Sequence, residues 1–150
     1  MKTTSIDQDR ATIIFHQMGA KVKTIHGVQC YIRFTLDENI ELYYVYNITK
    51  DNELYLQRIK PYPFGAGVFS SVDEIIRFIE LDLSRFNNAS NSKVFDDFVF
   101  NNQKMNDLIQ SVESLFLEKN VPKEKMQEIT NLLEQIDQKI IEIYENTPRV

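Results

Sequence analysis

The chain has 150 residues, 43% hydrophobic and 26% charged, with a formal net charge of -5, a balance typical of globular proteins and long enough to bury a core. An acidic chain with no basic run has little with which to neutralise phosphates, so nucleic acid is not an expected partner. No run of apolar residues is long enough to span a bilayer and Met1 to Arg10 is polar, so the sequence predicts neither a membrane span nor a signal peptide and points to a cytoplasmic protein.

The first predicted element is a short helix from Ser5 or Asp7 to about Met18. Ile6, Arg10, Ile13, Ile14 and Gln17 recur at helical spacing, Asp7 and Asp9 suit the dipole of the first turn, and Gly19 follows as a stop. The run Thr12 to Phe15 would also suit a strand. From Val22 to Ile59 the period changes to two. Val28, Cys30, Ile32 and Phe34 alternate with polar or aromatic neighbours, as do Ile40, Leu42, Tyr44 and Tyr46, and then Leu54 and Leu56. Short connectors, Asp37-Glu38-Asn39 and Thr49-Lys50-Asp51-Asn52, make consecutive strands pair as an antiparallel meander. His26-Gly27 offers a tight turn that would add a small leading strand, Val22 to Ile25.

Pro61, Pro63, Gly65 and Gly67 are expected to end the sheet, and Ser71 with Glu74 three residues on is a capping box for the next helix. That helix carries Val72, Ile75, Ile76, Ile79, Leu83 and Phe86 on one face, whose burial across the sheet contributes on the order of 10 kcal/mol before entropy. Asn87 to Ser92 is a polar break. After it come two amphipathic stretches separated by Asn120-Val121-Pro122: Met105, Ile109, Val112, Phe116, and then Met126, Ile129, Leu133, Ile136, Ile140, Ile143. The predicted fold is α+β: an N-terminal helix, an antiparallel three- to four-stranded meander covered by a helix, and a C-terminal antiparallel helical hairpin. It is expected as a single domain over 1–150, with a sheet-plus-helix body at about 5–87, the polar break at 87–93 and the hairpin at about 94–146.

The odd-numbered sheet face would present Tyr31, Tyr43, Val45, Tyr55 and Ile59 beside Arg33, too apolar to be left bare. The layer rule predicts that the first helix or the hairpin covers it as a helix-sheet-helix sandwich. Tyr31 and Tyr55 are alternatively interface residues, because tyrosine is favoured at protein contacts. Base stacking on the tyrosines is disfavoured by the charge and by the absence of the aromatic motif of sheet-based RNA binders. Gly65 and Gly67 lead towards a helix N-terminus at Ser71, where free backbone donors can hold an anion. With Arg33, Tyr43, Arg58 and Lys60 as anchors they form a candidate ligand site. Dinucleotide and phosphate-loop spacing are both absent, so a structural turn is the simpler reading.

Chemistry-bearing residues are sparse. Cys30 is the only cysteine, which excludes an internal disulfide and a thiolate zinc cage and fits a reducing compartment. The two acceptor patterns at Asn47 and Asn88 have no physical meaning without secretion. His16 and His26 fall in different elements and nothing in their spacing forms a metal site. Glu113, Glu118, Glu128, Glu134, Asp137, Glu142 and Glu145 fall mostly off the apolar stripes as a solvated face, and the hairpin holds no histidine for a di-metal centre.

No acid, base and nucleophile set can be assembled, so no catalytic residue, metal or cofactor is expected. The expectation is an interaction or self-association module, with a protein partner or a second copy docking on Met126, Ile129, Leu133, Ile136 and Ile140, and a homodimer as one form. The rival expectation is a small-molecule or anion-binding domain, enzyme or not, on the tyrosine-rich sheet and the Gly65-Gly67 segment.

Overall fold

The structure is a computed structural model that describes residues 5–22, 27–36, 40–49 and 53–149. Two compact units divide it, Met1–Val99 and Phe100–Val150.

The first unit opens with helix α1, Ser5–Gln17. Gly19 takes φ +91° and closes the helix. The Ala20 amide donates to the Phe15 carbonyl at 2.9 Å and that of Gly19 to His16 at 3.0 Å, which satisfies two otherwise orphaned carbonyls. The large apolar residues Ile13, Ile14, Phe15 and Met18 stay 41–75% exposed, so α1 adds none of them to the core.

The sheet is a four-stranded antiparallel meander, β1 (Gly27–Leu36), β2 (Ile40–Thr49), β3 (Leu54–Lys60) and β4 (Phe64–Phe69), in that spatial order. Its fourth strand follows the other three, over residues where glycine and proline were expected to end the sheet. Pro61 and Pro63 are confined to the connection between β3 and β4, and Gly65 and Gly67 lie in an edge strand, where ladder demands are weakest. The expected leading strand, Val22 to Ile25, falls largely outside the described residues, as does His26.

Two irregularities set which side chains share a face. Leu56 pairs with Gly67 and Gln57 with Gly65, so Ala66 is the extra residue of a bulge, and Gly67 supplies the positive φ of +102° there. Tyr44 pairs with Arg58 and Tyr43 with Lys60, so Ile59 is extra on β3. This shift carries Lys60 to the face of Tyr43, although its number alone places it with Leu54 and Leu56.

The inner face contributes Leu42, Tyr44, Leu54 and Leu56, with Leu36 at the end of β1. Helix α2, Val72–Ala89, meets it with Ile75, Ile79 and Phe86. Val72 and Ile76 lie outside the contact, 36% and 48% exposed, while Phe78 and Leu83 pack against the core. The Ser71 hydroxyl accepts from the Glu74 amide at 3.2 Å, and the Glu74 carboxylate accepts from the Ser70 amide at 2.9 Å. That second bond, the largest influence, holds the Glu74 carboxyl below its ordinary pKa.

Helix α3 spans Phe95–Glu118, and its first residues to Val99 belong to the first unit. The polar break at 87–93 is therefore the α2–α3 connection, and the unit boundary lies inside α3. Phe95 and Phe98 stack with Phe86 at ring separations of 6.2–6.4 Å, which ties that first turn to the core.

The second unit holds the rest of α3 and helix α4, Lys123–Asn146, joined through residues 119–122 with Pro122 as N-cap. No side chain from 100 to 149 is buried.

The bulge gives a direct test. Neither glycine of β4 would bring a Cβ within 4 Å of another group, but only Gly67 has a positive φ. Gly67→Ala is expected to lower stability by about 1–2 kcal/mol and Gly65→Ala by less than about 0.5 kcal/mol, measured by urea unfolding. Equal losses would mean that conformation at Gly67 is not the governing constraint.

Candidate functional site

Arg58 continues the inward alternation of Leu54 and Leu56 on β3 and is only 5% exposed. Asp82 continues the stripe of Ile75 and Ile79 on α2, three residues after Ile79. Sheet and helix thus bring an arginine and a carboxylate to the same place. Arg58 Nη1 donates to Asp82 Oδ2 at 2.7 Å, and the Tyr44 hydroxyl donates to the same oxygen at 2.7 Å. Aromatic rings surround the guanidinium, whose carbon lies 4.7 Å from the ring centres of Tyr62 and Phe86 and 5.1 Å from that of Phe64. Such contacts stabilise a desolvated cation through the ring quadrupoles. One donor is left over: Arg58 Nε is buried and has no hydrogen-bond partner.

Burial first, and the Asp82 carboxylate second, push the Tyr44 phenol well above its ordinary pKa near 10. Burial raises Tyr62 as well. Both side chains therefore stay neutral beside the ion pair throughout the physiological range.

Beside this network lies a pocket of about 290 Å³. Arg58, Asp82 and Arg85 are its charged residues, and Tyr62, Phe64, Phe78, Leu81, Phe86, Ala89 and Phe98 form the walls. Asp82 escaped the sequence reading, and Arg58 entered it only as one anchor of a different site. The available signal was a charged residue on each of two otherwise apolar stripes.

The residues expected to bind a ligand divide between the faces of the sheet. Arg33, Tyr43 and Lys60 come together on the outer face around Glu41, with Arg33 bonded to Glu41 and Lys60 Nζ 3.1 Å from Glu41 Oε2. Both cations lie over the Tyr43 ring, at 5.1 Å and 4.8 Å from its centre. The hydrogen bond from Lys60, then that from Arg33, holds the Glu41 carboxyl below its ordinary pKa. Arg58 is on the inner face. Gly65 and Gly67 are strand residues, and Ser71 is engaged as the cap of α2.

The outer face also carries Tyr31, Tyr55, Ile59 and Val68, 77%, 40%, 41% and 64% exposed, so no described element of the first unit closes over them. Among the described residues Val45 alone is buried there, flanked in register by Tyr31 and Gln57. On the hairpin, Met126 and Ile129 are half-buried, while Leu133, Ile136 and Ile140 are 48–54% exposed. Ile129, Leu133, Ile136 and Ile140, but not Met126, border a groove of about 710 Å³ shared with Leu108 and Val112 of α3, as an antiparallel hairpin places them.

His16, in the last turn of α1, is exposed. Among the described residues no three His, Cys, Asp or Glu side chains form a metal-holding group, and no helix is long and apolar enough to cross a membrane. The chain matches no family model, no curated protein and no solved structure.

Arg58→Met leaves Asp82 without its countercharge and is expected to lower stability by about 3 kcal/mol, with Arg58→Met/Asp82→Asn recovering more than half. Chemical denaturation of both variants checks this, and a loss under about 1 kcal/mol would reduce the pair to a surface contact. The raised Tyr44 pKa has a definite sign: below pH 10 both states hold the proton, and above it the unfolded chain loses the proton first. Stability is therefore expected to fall as pH rises above about 10, with a shallower fall in Tyr44→Phe, as followed by far-ultraviolet circular dichroism at successive pH values.

Proposed function

We propose that this protein is a self-associating interaction module, in which the α3–α4 hairpin pairs with that of a second copy as a four-helix bundle. The observation that carries this reading is that the strongly patterned helical residues 100–118 and 123–146 include not one fully buried side chain. A helical pair in water draws its stability from tertiary burial of an apolar face rather than from helix propensity, so such a hairpin needs a covering surface.

Three features favour a second copy as that surface. Met126, Ile129, Leu133, Ile136, Ile140 and Ile143 alternate at spacings of three and four, the heptad seam that packs helix against helix. Two antiparallel helices are half of an up-down bundle, and a two-fold axis completes it with identical surfaces. Ile109, Phe116, Leu132, Leu133, Ile136, Ile140, Ile143 and Tyr144, at 48–80% exposure, offer on the order of 900 Å², against the ~800 Å² per partner of a standard interface.

The charge pattern supports the same occupant. Although the chain is acidic, Glu124, Glu128, Glu134, Glu142 and Glu145 fall away from the seam in the heptad phase, and only Asp137 borders it. Lys125 and Lys139 flank the seam and pair along the helix with Glu128 and Glu142. Two copies can therefore approach without burying like charges. A cytosolic location agrees with the single unpaired Cys30.

Sedimentation velocity and native mass spectrometry of the full chain test the proposal. A concentration-dependent dimer is expected at tens of micromolar, and Leu133→Asp is expected to weaken it at least a hundredfold, about 3 kcal/mol, with the β-sheet circular dichroism retained. A wild-type chain that stays monomeric, or a variant that dimerises unchanged, would remove this reading.

A further inference from the structure

We propose that the pocket beside Arg58 is a binding site for a small carboxylic acid with an apolar body, of the size of an arylacetic or short-chain fatty acid. The inference rests on the first unit alone and does not depend on self-association.

The polar end of the pocket is cationic, and its buried arginine is only partly paired. Asp82 occupies Nη1 of Arg58, while Nε, in a side chain only 5% exposed, donates to nothing. A buried donor left unpaired is costly, and the tendency is strongest for a charged group. Arg85 adds a second cation to the lining against the single carboxylate of Asp82, so the pocket's charged groups sum to one positive charge. An anion restores neutrality and gives the guanidinium a second countercharge besides Asp82.

The walls select among anions. Of the walls only Tyr62 carries a polar group, and Phe64, Phe78, Leu81, Phe86, Ala89 and Phe98 offer no hydrogen bond from their side chains. Phosphate, which keeps several oxygens hydrated, gains little from such surroundings. A carboxylate presents one planar polar end that suits an arginine fork, and its remainder can be hydrocarbon. The volume of about 290 Å³ lies at the small end of ligand sites and holds a molecule of about ten non-hydrogen atoms. A nucleotide is too large.

The full chain, ¹⁵N-labelled, is titrated with sodium phenylacetate, sodium hexanoate, 2-phenylethanol and inorganic phosphate while the arginine Nε–H signals are followed by NMR. Phenylacetate or hexanoate is expected to shift the protected Arg58 signal saturably, and 2-phenylethanol to bind at least about tenfold more weakly. Arg85→Ala, a change at an exposed residue, is expected to weaken acid binding at least about threefold. Ala89→Leu, which fills the pocket from α2, is expected to abolish it with the remaining spectrum preserved. The proposal is overturned if neither acid shifts the signal at about 10 mM, if the alcohol binds as well as the acids, or if phosphate displaces them. It is equally overturned if a folded Ala89→Leu binds like wild type or, should that variant not fold, if Arg85→Ala binds unchanged.

Discussion

One carboxylate oxygen joins the sheet to the helix of the first unit. Asp82 Oδ2 accepts from Tyr44 on β2 and Arg58 on β3 while belonging to α2, so three elements meet at a single atom. Apolar packing between a sheet and a helix tolerates small sliding movements, because burial is nearly independent of direction. Two charge-assisted bonds of 2.7 Å do not, and they fix where α2 crosses the strands. Desolvation offsets much of the Coulomb attraction in such a buried pair, so its main consequence is a defined arrangement rather than added stability. The same arrangement lets Tyr62, Phe64 and Phe86 enclose the guanidinium.

Much of this architecture is legible in the amino-acid order. Ser71 and Glu74 mark the start of α2, the alternation in residues 28–56 marks three strands, and the spacing of Met126 to Ile143 marks α4. What escaped depends on partners distant in sequence. Arg58 and Asp82 are separated by 24 residues, and each looks like an isolated charge until the fold brings them together. β4 was hidden because Pro61, Pro63, Gly65 and Gly67 are local strand breakers. Breakers are tolerated at an edge, where half of the ladder positions need no partner. The move of Lys60 to the outer face follows from one unmatched residue, Ile59, and no alternation rule anticipates a bulge.

The two units differ in how they satisfy their apolar residues. The sheet unit buries Leu42, Tyr44, Leu56 and Ile75 almost completely. The hairpin unit buries none and instead arrays its isoleucines and leucines along a seam. The division is the one that the proposed self-association requires, with a core already formed in the sheet unit and an apolar seam left open on the helices. On the outer sheet face, Arg33, Glu41 and Lys60 form a charged cluster around Tyr43, so this largely exposed surface is broken up by charge rather than left as a continuous apolar sheet.

The bulge in β4 also affects how the protein behaves when crowded with its own kind. An incoming strand needs a regular row of amides and carbonyls, and the extra residue at Ala66, with the turned backbone of Gly67, interrupts that row at one margin of the sheet. The opposite margin is β1, ten residues without a register shift, with Val28 and Tyr31 in solvent. Of the two margins, β1 is therefore the better template for an incoming strand.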